Sequence, residues 1–309
     1  MEFSLAALVS GLAVGLVVGV TGAGGGALLT PLLILALHVN AKTAVASDLV
    51  ASVFMRPVAG FVHLRRSLVH WPIVGWLVAG SVPTAFAGGV LSSLYIPAQT
   101  ADSVLEPIIG GVLLFSGAAA IARRFAKARV AAAEAPPTGT RPLVAARPFP
   151  TVVIGVLGGL AVGVTSVGAG TLMLVALALV YPALSSRELV GTDLVQAVPL
   201  VLAAALGHLA AGGLHVSLTA AVVAGGVPGA LIGAYLSRWI PARSLGVVVA
   251  GVIFGSGCAL IGWVPGAIVG GCAAVTLVVT AAWVRWRAAP RAAEAADRAT
   301  VATGGLVLA

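Results

Sequence analysis

Apolar runs of about 18 residues or more follow one another along this chain, separated by short polar stretches. Each is long enough to cross the roughly 30 Å hydrocarbon core of a bilayer as a helix. The clearest occupy 44–62, 72–95 and 103–122 in the first half, then 216–237, 245–261 and about 267–283 in the second. Two opening segments, 4–38 and 151–181, are too long for one crossing and are interrupted by glycine. At about 1.5 Å per residue, the first would make a helix of roughly 52 Å. Each therefore predicts two helical pieces, folded as a hairpin or re-entrant pair around its glycines.

The two halves repeat each other. Gly19-Val20-Thr21-Gly22-Ala23-Gly24 answers to Gly163-Val164-Thr165-Ser166-Val167-Gly168, and Ser47-Asp48-Leu49 to Thr192-Asp193-Leu194. A constant spacing of 145 residues separates Asp48 from Asp193, His63 from His208, His70 from His215 and Pro83 from Pro228. A collinear series of this kind is an internal duplication, common among secondary transporters. Between the halves lies a segment rich in arginine and proline, from Arg123 to Pro148, which reads as a linker. The expected organisation is a first membrane repeat at 1–122, a basic cytoplasmic linker at 123–148 and a second repeat at 149–262. An extra helix and a basic cytoplasmic tail then fill 263–309.

Basic residues orient this pattern. With the linker and the Arg285–Arg298 tail inside, as the positive-inside rule asks, Arg65-Arg66 falls inside while its repeat partner, Ala210-Ala211, falls outside. Equivalent loops on opposite faces predict inverted repeats. The fold class is thus an all-α polytopic membrane protein of two inverted repeats. Each repeat is a broken or re-entrant helical hairpin plus three transmembrane helices, and one further helix follows at the C-terminus.

Composition agrees: 60% of the 309 residues are hydrophobic and 8% charged, with mean hydropathy +1.12. No soluble domain of this length buries so much apolar surface. Forty glycines suit close helix approach in a bilayer. The net charge of +8 sits in loops and tail rather than on a basic face interleaved with aromatics, so nucleic acid is not an expected partner. Cys258 and Cys272 lie in apolar stretches and predict neither a disulfide framework nor a metal site. The opening Met-Glu-Phe-Ser-Leu lacks the basic leader of a signal peptide, so the first apolar run is expected to be retained.

Candidate chemistry gathers at three places. The first is the glycine motif, Thr21, Gly22, Gly24 and Gly25, with its repeat at Thr165, Ser166 and Gly168. Glycine costs about 1 kcal/mol per residue in a helix interior. Unwound N–H groups and the start of the following helix would attract an anion. The plainer reading is close helix packing through small residues. The second is Arg56, inside an apolar run, whose planar fork suits an oxyanion; Val201 stands at its repeat position. A snorkelling interfacial arginine is the alternative. The third comprises Asp48 and Asp193, readable as proton-coupling or gating groups or as helix N-caps, together with His63 and His208. His70 and His215 read as loop histidines, and Gln196 and Asn40 as unspecific polar residues. No catalytic residue, cofactor or metal is expected: no Walker lysine, Gly-x-Ser-x-Gly or His-Glu-x-x-His occurs.

These features resemble the TauE/SafE sulfite exporter family. The resemblance is carried by Gly-Val-Thr-Gly-Ala-Gly-Gly-Gly followed by Leu28–Leu33, by Ala44–Leu49, by His63-Leu64-Arg65-Arg66, and by the repeats at Gly158–Gly170 and Gly191–Leu194. It implies a multi-spanning permease of a bacterial inner membrane that moves small anions, sulfite and organosulfonates being the usual assignment. Its partners would be that anion and the lipid bilayer, with a homo-oligomer left open. The expected function is a secondary exporter of such anions. A permease for another small anion or metabolite, or a membrane scaffold that transports nothing, is the alternative. The topology has a direct test: single cysteines beside Arg65 should react only from the cytoplasmic face, and those beside Gly212 only from outside. Reaction of both from one face would refute inversion.

Overall fold

The computed structural model describes residues 2–21, 26–64, 69–97, 99–131, 145–168, 170, 172–210, 212, 214–236 and 242–265. Among these residues there are ten helices and no strand. The first half holds α1 (Glu2–Thr21), α2 (Gly26–Leu37), α3 (Ala41–Leu64), α4 (Trp71–Tyr95) and α5 (Ala101–Ala131). The second holds α6 (Pro148–Thr165), α7 (Leu172–Val180), α8 (Ser186–Ala210), α9 (Val216–Leu236) and α10 (Ala242–Leu260). Five are long and apolar enough to cross a membrane: α4, α6, α9, the Ala101–Ile121 part of α5 and the Glu188–Ala210 part of α8. Leu5, Val9, Phe115, Leu157, Leu179 and Tyr235 face outward, as lipid rather than water requires. This is a multi-pass helical membrane protein.

Both opening segments break in two. With 12 and 9 residues, α2 and α7 are about 18 and 14 Å long, too short to span a bilayer. In the second half the reversal is explicit. Met173, at the start of α7, packs where a side chain on Gly158 would sit, two turns back from the end of α6. The Tyr181 hydroxyl then meets the start of α6, accepting from the Arg147 N–H at 2.8 Å and pairing with Thr151 Oγ1 at 2.6 Å. The chain thus leaves from Arg147 and returns to it.

Packing follows glycine stripes. Side chains at Gly11, Gly15 and Gly19 of α1 would overlap the backbone of α9 at Val222, Gly226 and Ala230, so the two helices run in the same direction at backbone contact. Gly225, Gly229 and Gly233 of α9 return the contact onto Leu8, Leu12 and Leu16. The other half mirrors this pair: Gly155, Gly159 and Gly163 of α6 lie on Leu77, Ser81 and Ala85 of α4. Exchanging the halves turns α1–α9 into α6–α4, and α3–α9 into α8–α4, all of which are packed pairs. Ser47 of α3 and Thr192 of α8, equivalent in the repeat, both tie to the beginnings of those partners, through Thr219 and the His70 N–H.

Two boundaries differ from the sequence expectation. The helix of α5 continues through Ala131, into the segment read as linker, and Pro148 opens α6 rather than closing that linker. Proline fits there because the first turn of a helix needs no N–H donor. The extra helix at 267–283 and the tail lie outside the described residues.

Gly15→Leu and Gly229→Leu should each lower the thermal midpoint of the detergent-solubilised protein, at a cost of about 1–3 kcal/mol or more from overpacking against backbone. Gly75→Ala and Gly111→Ala, where nothing lies within 4 Å of an added Cβ, should leave it unchanged or slightly raised. Equal effects at all four positions would contradict the packing.

Candidate functional site

The break between α6 and α7 is built from short-range bonds. Ser166 caps α6 in the left-handed region at φ 60°, its N–H bonding to the Val162 carbonyl. Thr165 Oγ1 donates to the Ala161 carbonyl at 2.6 Å and accepts from the Val167 N–H at 3.2 Å. Gly168 and Gly170 then take φ of 116° and 128°, conformations that favour glycine, and the Gly168 carbonyl receives the first N–H groups of α7. Thr165 therefore spends its hydroxyl on the turn, while that of Ser166 is left to point elsewhere.

It points at Asp48. Ser166 Oγ donates to Asp48 Oδ2 at 2.6 Å, Thr30 Oγ1 of α2 donates to the same oxygen at 2.7 Å, and Ser52 Oγ donates to Oδ1 at 3.4 Å. The carboxylate is fully buried, and its partners come from α2, α3 and the broken segment of the other half. The backbone closes the same junction: a side chain on Gly26, first residue of α2, would collide with the Ser166 carbonyl. The two broken segments thus meet at Gly26 and Ser166. Gly22, Gly24, Gly25 and the side chain of Thr21 lie outside the described residues.

Arg56 follows Asp48 and Ser52 at helical spacing on one face of α3, and a helical side chain leans back toward the N-terminus, here toward those residues. It is 4% exposed, and its Nε has no hydrogen-bond partner among the described residues. Its charge interacts with Asp193 and with Asp48. Asp193, on α8, accepts from Gln196 Nε2 at 3.0 Å; the same amide contacts the Met173 sulfur at 2.8 Å, and Ser81 Oγ reaches Gln196 Oε1 at 3.5 Å. One guanidinium and two carboxylates are buried together, between halves and beside a chain break.

The N-cap readings of the aspartates are overturned. Helix α3 begins at Ala41, where Asn40 Oδ1 accepts from the Lys42 N–H and Asp102 Oδ1 from the Ala41 N–H. Helix α8 begins with a capping box, in which Glu188 accepts from the Ser185 N–H while Ser185 Oγ accepts from the Glu188 N–H. Asp48 and Asp193 lie about two turns inside their helices.

His208 and His215 do not join this cluster. His208 lies about 22 Å further along α8 than Asp193. Its Nε2 donates to the Gly163 carbonyl at 2.8 Å, and its Nδ1 pairs with Ser93 Oγ at 3.0 Å, so the ring pins α8 to α4 and α6. The side chain of His63 is outside the described residues. His215 Nδ1 pairs with Ser217 at an exposed loop. Thr30 and Ser52 were not singled out in the sequence, although Thr30 stands in the Leu-Leu-Thr-Pro stretch and Ser52 one turn after Asp48. Among the described residues no group of three histidine, cysteine, aspartate or glutamate side chains is placed to hold a metal.

A bundle of glycine-packed helices around two chain breaks and a buried charge cluster defines a polytopic membrane protein with an interior polar site. The family model of the sulfite exporter TauE/SafE matches residues 7–260, and the chain belongs to that family. It is 34% identical over 259 residues to the probable membrane transporter protein YjnA of Bacillus subtilis, covering 84% of this chain and 100% of that protein. A second relative from the same organism, the probable membrane transporter protein YdhB, is 27% identical over 231 residues, covering 74% and 87% respectively. No solved structure matches the chain.

Proposed function

We propose that this protein is a secondary transporter that exports small anions across a bacterial inner membrane, with sulfite and organosulfonates as its first candidate substrates. The observation that carries the reading is Arg56: a buried guanidinium whose Nε has no partner among the described residues, in a cluster beside the junction of Gly26 and Ser166. A planar donor fork of this kind suits an oxyanion, and an intramembrane charge is retained where it serves a pathway. Family membership and the printed names of both relatives support transport as the activity.

Inverted repeats are part of this proposal, and helix directions support them. Lys42, at the start of α3, donates to the Ser93 and Ile96 carbonyls at the end of α4, so α3 and α4 are antiparallel. The glycine registers and side-chain contacts make α1, α3 and α9 parallel to one another, and likewise α4, α6 and α8. Equivalent helices of the two halves then point in opposite directions. Arg147 and Arg187 stand at the starts of α6 and α8, against Lys42 at the opposite face, and the sequence runs directly from α3 into Arg65-Arg66, which favours the face where α4, α6 and α8 begin as cytoplasmic. The start of α2 would offer N–H groups to an anion, and Thr21, Gly22, Gly24, Gly25, Ser166 and Gly168 are its proposed contacts. Asp48, Asp193 and His63 would gate or couple its passage, while His208 serves as a contact between helices.

Proteoliposomes loaded with labelled sulfite test this reading. Wild-type protein should release the label faster than empty liposomes under a proton or voltage gradient. Arg56→Lys should weaken the apparent affinity by about 1–3 kcal/mol, since it keeps charge but loses the fork. Arg56→Leu should abolish flux in protein that still folds and inserts, costing more in transport than in thermal midpoint. Wild-type flux through Arg56→Leu would remove Arg56 from the site, and no flux of sulfite or any organosulfonate would overturn the substrate class.

A further inference from the structure

Among the described residues, the charged side chains at membrane depth do not balance. Asp48, Asp193 and Arg56 are buried, and the segments completing the two breaks, 22–25 and 169–171, contain no ionisable residue. Elements packed against α3 supply none near Asp48: α1, α2 and α9 carry no charged side chain there, Asp102 and Glu106 lie at the outer start of α5, and α8 offers only Asp193 at this level. The cluster therefore carries one surplus negative charge, which in a low-dielectric interior demands a compensating cation.

Its two carboxylates are surrounded differently. Asp193 accepts from the Gln196 amide and shares the buried Arg56 charge with Asp48. Asp48 is surrounded by oxygen: the hydroxyls of Thr30, Ser52 and Ser166 all lie on its carboxylate. Hydroxyls, unlike amide or guanidinium N–H groups, can turn their lone pairs toward a cation or accept a proton from a neutral acid. Ser166 also ends α6, so the negative end of that helix faces the same place, and its carbonyl lies against Gly26. Carboxylate and hydroxyl oxygens at the C-terminal end of a broken helix are the hard-ligand set for an alkali cation.

We propose that Asp48, Thr30, Ser52 and Ser166 form a binding site for one monovalent cation, sodium or a proton, distinct from the anion contact at Arg56. This builds on the transport reading: the cation neutralises the surplus charge, so anion and cation occupy neighbouring sites drawn from both halves. The end of α6 then faces the cation, next to the anion contact at Arg56.

The test uses purified full-length protein in detergent and no anionic substrate, so its result stands apart from what is transported. Thermal midpoints are measured in sodium chloride against choline chloride at equal ionic strength, and across pH 5–8 without sodium. For sodium, the wild-type midpoint should rise by several degrees with a saturable dependence. Asp48→Asn should lose the response, and Thr30→Val should raise the half-effective sodium concentration about tenfold. For a proton, sodium has no effect, and a pH-dependent midpoint in the wild type disappears in Asp48→Asn. Glu106→Gln, outside the cluster, should retain whichever response the wild type shows. If Asp48→Asn does not fold, Ser166→Gly and Ser52→Ala carry the test; glycine accepts the left-handed turn at 166 while removing the hydroxyl. No response to sodium or pH, or a response that survives all of these cluster variants, overturns the site.

Discussion

Backbone contact between glycine-faced helices organises this molecule. In lipid there is little hydrophobic gain from pressing one apolar helix on another, so association rests on dispersion and close fit. Glycine at every fourth position of α1, α6 and α9 lets main chain meet main chain, and each closely packed pair joins one helix from each half. Neither half is therefore a separate bundle. The first helix of each is paired across the molecule, which places the ends of α1 and α6, and hence both chain breaks, at the interface of the halves.

A second constraint decides what can happen at those breaks. Unpaired backbone groups are not tolerated against lipid, only where protein or a watery cavity covers them. The α6–α7 turn meets this with Thr165, the Ser166 cap and Gly168, leaving the Ser166 hydroxyl to reach Asp48 in the other half. A buried carboxylate is costly without donors and a compensating charge, and three hydroxyls from three segments supply the donors at the junction. Fold and site are thus one arrangement, in which the same serine ends a helix, bridges the halves and holds the charge.

Much of this was legible in the residues. The duplication placed Asp48 against Asp193, and the opening segments announced their breaks by length and glycine. Arg56 stood out as a charge in an apolar run. The helix starts were misread, because the first apolar residue of a run is not the first helical one: Asn40 and the Ser185–Glu188 box lie upstream of the residues that hydropathy selects. His208 matched His63 in spacing, yet sequence carries no sign that both ring nitrogens are used in holding helices together. The company of Thr30, Ser52 and Ser166 around one carboxylate depends on contacts across 18 and 118 residues of chain. Local patterns cannot encode these. The glycine stripes were present in the sequence at a spacing of four and repeat between halves, but which helix each would meet follows only from the packed structure.

The central claim is that the two breaks meet at one position reachable, in turn, from each side of the membrane. Accessibility of a single cysteine at position 166 tests it most directly, in a chain whose Cys258 and Cys272 are changed to alanine. A membrane-impermeant thiol reagent should label that cysteine in right-side-out and in inside-out vesicles alike, as a site open alternately to both faces requires. Protection from both faces, in protein that remains folded and inserted, would contradict the account and leave position 166 a packing contact.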